Sequence, residues 1–412
     1  MCQLCADFGI SYHASEEAGV SRRHVLDRLA MGGMAALLGA LPRNAFAQEP
    51  DDVVRIGYLP ITDATPLLVA HAKGYFEEEG LKVEKPALIR GWAPLIEGFA
   101  AGKFNVVHLL KPTALWLRYN NHVPVKIVAW AHTNGSALVV QGDGKIEKFS
   151  DLAGKQLAVP FWYSMHNIVL QYALRQSGLT PVIKPQDAQL GPKEVNLQVL
   201  QPPDMPPALA AKKIHGYIVA EPFNALGELN AGGRILRFTG DIWKNHPCCV
   251  VSILQPLIEK RPEWTQKVLN AIVRAEIYAS QHKSEVAELL SRDGAAYLPA
   301  PANVVKRAVT AYGDEPSYKA NATIKHPDWR NGRIDFQPWP YPSATRLIVE
   351  QLKKTKVEGD RAFLDKLDPA FVAKDLVDYE FVRKALERYP EWKRDPSVNA
   401  GDPLERNEVL TL

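Results

Sequence analysis

No run of apolar residues in the chain is long enough to stay in a bilayer as a spanning helix; the best, residues 29–41, is short and diluted with Gly and Ala. Charge of one sign is also missing: the net charge is +3 and the basic residues are scattered rather than gathered into a stripe, which argues against a nucleic-acid partner. The four cysteines fall into two pairs, Cys2 with Cys5 and Cys248 with Cys249. Cys2 and Cys5, even with His13 nearby, fall short of a closed zinc site, and two adjacent thiols at 248 and 249 are too few to ligate iron, so no metal and no cofactor is expected. There is no Gly-x-Ser-x-Gly elbow, no His-Glu-x-x-His pair and no glycine-rich phosphate loop after a strand, which removes the motifs of the common hydrolases and nucleotide binders. Repeats and low-complexity segments are absent as well, which removes a structural array.

What is present is an ordinary globular composition over 412 residues, enough for one large or two medium domains. Arg22-Arg23 precedes the weakly apolar run, which ends in Ala45-Phe46-Ala47, a small-x-small cleavage pattern. The order of charge, apolar core and cleavage site predicts a twin-arginine signal peptide over residues 1–47, cleaved near Gln48, and a mature periplasmic protein that meets the twin-arginine translocon during export.

Beyond the signal, strands alternate with helices over short connections. Residues 53–59, 81–84, 106–110 and 125–130 read as strands, and Thr65-Pro66 supplies an N-cap followed by proline at the first helical position. A second unit of the same kind follows, with strands at 156–160, 194–200 and 216–220. This pattern predicts an α/β fold of two lobes with mostly parallel sheets, whose ligands sit beyond the carboxyl ends of the strands. The lobes are expected at residues 53–137 plus 245–412 and at residues 138–244. From residue 256 the composition turns to amphipathic helix and then to a polar tail, expected to wrap the first lobe and to be loosely ordered over residues 396–412. Glu77, Glu78 and Glu79 read as a solvated helix end.

Residues 159–178 carry the clearest chemistry. A short strand ends at Pro160, Ser164 reads as an N-cap, and Ile168, Val169, Tyr172 and Ala173 form the buried face of a helix closed by Gly178. His166 falls in the first turn, where free N–H groups and the positive dipole end make a seat for a small anion. Phe161, Trp162 and Tyr163 are placed to wall it; an inert capped histidine is the alternative. If Val250-Val251 continue a strand, Cys248 and Cys249 point to opposite faces as two separate thiols; a vicinal disulfide is the other form open to them.

Several stretches together resemble solute-binding proteins of the nitrate/sulfonate/taurine ABC-importer family, of the type II periplasmic-binding fold, nearest the nitrate- and bicarbonate-binding branch. They are Thr62-Asp63-Ala64-Thr65-Pro66-Leu67, Lys73-Gly74-Tyr75-Phe76, Asn134-Gly135, Trp162 through His166, Glu221-Pro222-Phe223 and Asp241-Ile242-Trp243-Lys244-Asn245-His246-Pro247. The resemblance implies a non-enzymatic binder that delivers a small anion, nitrate first, to the membrane permease and ATPase of an ABC importer. It implies that Trp92 lines the seat, that His166 and Lys244 supply polar and cationic contacts, with Lys244 the counter-charge, and that Glu221 sits at the mouth between the lobes. Ser136 stands where the nitrate pattern has glutamine, and Phe223 where it has tryptophan. Bicarbonate, cyanate and a small sulfonate are the alternative ligands, and a thiamine-pyrimidine-synthase-like enzyme the alternative class.

Overall fold

The computed structural model describes residues 52–310, 316–390, 392, 398–399 and 402–412; the twin-arginine stretch, its cleavage pattern and Cys2 and Cys5 lie outside these. The first sheet begins with β1 (Ile56–Tyr58), followed by α1 (Thr65–Ala72), β2 (Ala87–Leu88) and α2 (Trp92–Ala100). It continues with β3 (Val106–Leu110), α3 (Lys111–Tyr119) and β4 (Val125–Trp130). Proline in the first turn of α1 and of α3 starts both helices where its missing N–H costs nothing. Strand β3 is buried along its whole length, as expected of a central strand covered on both faces.

The chain leaves this sheet through residues 131–135. Asn134 and Gly135 both adopt left-handed backbone, with φ of 61° and 80°, which is why this turn carries the two residue types that tolerate it best. A Cβ at 135 would also stand 3.0 Å from Ile334 Cδ1 and 3.1 Å from His132 Nδ1. The second sheet then forms from β5 (Ser136–Gln141), β6 (Gln156–Val159), α4 (Met165–Gln176), β7 (Thr180–Val182) and β8 (Glu194–Val199). It is completed by β9 (Gly216–Ala220), α5 (Phe223–Asn230) and β10 (Gly233–Phe238), and β11 (Cys249–Leu254) rejoins the first sheet.

The strand orders are β2-β1-β3-β11-β4 and β7-β8-β6-β9-β5-β10. Both sheets contain a parallel set, but β5 runs antiparallel to β9 and β10, and β11 antiparallel to β3 and β4. These are the two strands that arrive directly from the other sheet, without the helical crossover a parallel neighbour requires. The two crossings lie side by side: Asn134 N–H donates to His246 O, and Thr133 bridges Pro247.

The C-terminal part departs from expectation. Helix α6 (Pro262–Gln281) packs on α1 and buries Trp264, Val268, Leu269 and Ile272, but α7 (Pro342–Lys353) packs on α4, so the extension covers the second sheet's helix as well as the first sheet. Just past α7, Lys356 O accepts the side-chain amides of Asn167 and Gln171 at 3.1 and 2.8 Å. The last residues are seated rather than loose from Leu404 onward. Arg406 is buried against Glu408 and over the Trp130 and Tyr341 rings, Tyr172 OH donates to Leu410 O, and Thr411 N–H donates to Ile242 O. Glu78 and Glu79, at the end of the short helix Tyr75–Glu78, are also engaged, Glu78 with Arg274 and Glu79 with Arg388. Among the described residues no helix is long and apolar enough to cross a membrane.

Candidate functional site

Ser164 caps α4 as its sequence suggests, its hydroxyl accepting the Asn167 N–H at 3.1 Å. That cap holds His166 in the first turn, 2% exposed, with Nε2 2.9 Å from Ser136 Oγ and 4.0 Å from Cys248 Sγ; its Nδ1 has no partner. The start of α3 faces the start of α4: Thr113 donates to Tyr163 O at 2.7 Å. Two helix N-termini, one following a strand of each sheet, thus converge, and their dipoles make the space between them favourable to negative charge.

Lys111 is the first residue of α3, and its backbone N–H donates to Cys248 O at 3.0 Å. The side chain is 1% exposed, its ammonium lies 5.0 Å from the Trp130 ring centroid, and Nζ has no hydrogen-bond partner. Burial pushes its pKa down to about 7, with Glu408 acting upward and Arg406 further downward. Trp92 opens α2 and is buried with its indole N–H also unpartnered, 5.6 Å from the His108 ring. His108 Nε2 accepts the Leu59 N–H, and burial lowers this imidazole to about 3, so it is neutral at physiological pH.

The aromatic trio after β6 is packed rather than open. Tyr163 stacks on Trp116 at 5.5 Å, Phe161 meets the same ring edge-on, and Trp162 Nε1 donates to Glu358. Glu221, which the sequence places at a mouth, is wholly buried and spent on structure: Arg333 Nε donates to Oε1 at 2.7 Å and Ala225 N–H to Oε2 at 3.0 Å. Lys244 is half-exposed; its backbone N–H is held by Val409 O, and among the described residues its ammonium makes no hydrogen bond or ion pair. Side-chain contacts therefore join Ser136 and His166; Glu221 reaches the same turn only through its backbone, its N–H donating to Gly135 O at 2.9 Å, and no side-chain contact draws Lys244 to them.

A second group converges next to this one. Asp63, from the loop after β1, His132, from the outward crossing, and Cys248 and Cys249, from the return, are all buried, with ligand atoms within 4.8 Å of one another. These are the residues able to hold a metal ion. Both cysteines are free thiols, but they do not point to opposite faces. The strand begins only at Cys249, so the alternation rule does not reach Cys248. Burial pushes the Cys249 thiol up; the Cys248 thiol is lowered despite burial, because Cys249, His166 and His132 interact with its charged form.

The sequence reading missed Lys111, Asp63 and His132. Lys111 did leave a signal, a lysine on the first position of a helix, where the dipole disfavours a cation. The other two are separated by more than sixty residues from each other and from the cysteines, and only the crossings bring them together.

The sequence pattern of the NMT1-like family matches residues 47–291, more than half of the chain. Over 283 residues the chain is 27% identical to the nitrate/nitrite binding protein NrtA of Nostoc sp. strain PCC 7120; the match takes in 63% of this chain and 62% of that relative, so the chain spans less than two thirds of the relative's length. Among solved structures it resembles the periplasmic nitrate-binding protein NrtA from Synechocystis PCC 6803, with a TM-score of 0.64 at 17% identity over 82% of this chain and 89% of that one. It also resembles the periplasmic aliphatic sulphonate binding protein SsuA from Escherichia coli, with a TM-score of 0.53 at 17% identity over 74% and 92%. These structural likenesses establish the periplasmic-binding-protein fold.

Proposed function

We propose, starting from the fact that the chain belongs to the NMT1-like family, that it is the extracytoplasmic solute-binding component of an ABC importer, taking a small monovalent anion, nitrate first, and passing it to a permease and ATPase. The observation that carries this reading is the wholly buried, unpartnered ammonium of Lys111 at the carboxyl end of a central strand. A buried cation without a partner is costly, and an anion is its natural complement. Carboxyl ends of strands are also where open α/β sheets bind ligands. Lys111 and Trp92 offer donors only, which suits an anion that mainly accepts. The nitrate-binding relative supports the same choice. A sulfonate head is likewise an acceptor, so the sulphonate-binding structural neighbour keeps that class in the comparison.

In this reading Lys111 takes the counter-charge role that the sequence assigned to Lys244. Ser136 and His166 provide side-chain hydrogen bonds, and Trp92 the wall and one donor. Residues 53–137 with 245–412 and residues 138–244 are proposed as lobes that close on the anion.

Calorimetric titration of the purified protein with nitrate, nitrite, bicarbonate and a short alkanesulfonate tests this. One-to-one binding with nitrate strongest, and bound nitrate recovered chemically unchanged, is the expected result. Binding only of an uncharged organic solute, or steady consumption of the bound anion, sinks the proposal.

Export is proposed to follow the twin-arginine route, on the strength of Arg22-Arg23 and Ala45-Phe46-Ala47. The Arg22→Lys, Arg23→Lys double variant should stay in the cytoplasm as uncleaved precursor. If fractionation finds it in the periplasm, cleaved near Gln48, the route is a different one.

A further inference from the structure

We propose that Asp63, His132, Cys248 and Cys249 form a binding site for one borderline-soft divalent metal ion of the zinc class, placed where the two crossings between the sheets meet. None of these residues belongs to the anion-binding set of Lys111, Trp92, Ser136 and His166, so the inference goes beyond that reading.

The first ground is the donor set. One carboxylate, one imidazole and two thiols make four ligands of the types zinc prefers, and they come from three separate stretches of chain. A tetrahedral site with metal–sulfur bonds of about 2.3 Å and metal–nitrogen bonds of about 2.0 Å sets neighbouring ligand atoms roughly 3.3–3.8 Å apart. All the ligand atoms already lie within 4.8 Å of one another, so side-chain adjustment suffices to close the shell.

The second ground is that the group is unsatisfied as it stands. All four side chains are 0% exposed. His132 Nε2 is 3.1 Å from the Cys249 N–H, for which it must offer a lone pair, and 2.9 Å from Asp63 Oδ2, for which it must offer a hydrogen. One ring nitrogen does only one of these at a time. Asp63 has His132 as its ion-pair neighbour, but neither carboxylate oxygen attains full hydrogen-bond geometry and His132 Nδ1 has no partner. Buried carboxylates are rarely left so, because the lost hydration has to be replaced. A divalent cation replaces it at once, binding the carboxylate, one ring nitrogen and two thiolates; the two thiol protons leave to solvent as the metal–sulfur bonds form.

The third ground is position. Asp63 belongs to the first sheet's loops, while His132 lies in the outgoing crossing, just past β4, and Cys248 and Cys249 stand where the returning crossing enters β11. A bound ion ties all three together.

Cobalt(II), a spectroscopic stand-in for zinc, gives a direct test. In the full chain with Cys2→Ser and Cys5→Ser, Cys248 and Cys249 are the only thiols left of the four. Titration should reach one cobalt per chain with the strong visible bands of a tetrahedral site and a near-ultraviolet thiolate-to-cobalt band, both abolished by stoichiometric zinc and untouched by magnesium. Adding Cys248→Ser and Cys249→Ser should erase the thiolate band. Asp63→Asn should keep that band but lower cobalt affinity by about tenfold or more. Absence of a thiolate band in the parent, its survival without Cys248 and Cys249, or unchanged affinity in Asp63→Asn overturns the proposal. If the double serine variant does not fold, the parent and Asp63→Asn titrations decide it. Nitrate is absent from every arm, so failure here leaves the anion reading untouched and the reverse holds too.

Discussion

Replacing Lys111 by methionine is expected to lower affinity for the anion by about a hundredfold or more, within the 2–5 kcal/mol typical of removing one partner from a desolvated charge pair. Methionine keeps most of the length and an apolar stem while removing the ammonium that lies over the Trp130 ring, so the loss reports mainly the charge. The same group sets the pH dependence. Burial lowers the Lys111 pKa to about 7, and the anion binds the ammonium form. Below pH 7 the protein is already charged and affinity is flat. Above it each binding event must take up one proton, so affinity falls by up to about tenfold per pH unit until the raised pKa of the complex is reached. In Lys111→Met that slope should vanish. His166→Ala should lose less, since the helix N–H groups remain, and Lys244→Ala should bind as wild type. Titration calorimetry from pH 6 to 9 on the three variants checks all of this. If Lys111→Met binds normally while Lys244→Ala loses its ligand, the counter-charge belongs to Lys244 after all.

Arg333→Leu is the variant expected to harm stability most, by about 3–5 kcal/mol at neutral pH, the range for stranding one member of a buried ion pair. Arg333 and Glu221 are each fully shielded, with the Arg333 Nη2 to Glu221 Oε1 distance at 2.5 Å. Burial raises the Glu221 pKa and the guanidinium pulls it back down. Without Arg333 the glutamate rises further and prefers to be protonated. The deficit of the variant is therefore largest at high pH and shrinks as pH falls through the new Glu221 pKa. Adding Glu221→Gln to Arg333→Leu should recover much of the loss, because a neutral amide no longer needs the cation. Urea unfolding at pH 5 and pH 8 measures both effects. An Arg333→Leu variant as stable as wild type at pH 8 would mean that the pair contributes nothing.

Local signals carried most of the fold. The Ser164 cap is written in a single residue whose backbone preference acts wherever the chain goes, and it stands where the sequence puts it; Pro66 lies in the first turn as expected, but the helix begins one residue early, with Ala64 and not Thr65 at the N-cap. Strand direction is different, since it depends on how the chain travels between partners. That is why β5 and β11 turned out antiparallel in sheets expected to be mostly parallel.

The candidate site divides the same way. His166 is legible because a helix start is a local object, and its neighbour Ser136 comes with the Asn-Gly turn. Glu221 looked like a ligand-facing acid because its partner Arg333 lies more than a hundred positions away. Lys244 read as a counter-charge because Trp243 and His246, both buried, flank it; Lys244 itself is partly exposed, with its backbone N–H held by Val409 O. Lys111, the cation that is buried, stood in plain view as a lysine where a helix dipole disfavours one.

For the proposed two-lobed molecule, the seating of residues 404–412 adds a clasp to the hinge. Two adjacent crossings, at residues 131–135 and 239–248, would by themselves leave one axis of rotation between the sheets. The segment from Leu404 onward adds a tie away from that axis: Arg406 rests on Trp130 of the first sheet, and Leu410 receives the Tyr172 hydroxyl from the second sheet's helix. Rotation about the crossings has to unhook Val409 and Thr411 from Lys244 and Ile242 or slide Arg406 off its rings. The same segment carries Glu408, whose charge acts to raise the Lys111 pKa against the larger lowering by burial. If the proposed lobes turn on these crossings, releasing the clasp would do two things in one movement, loosening the mechanical tie and withdrawing a negative charge from the ammonium proposed to meet the anion.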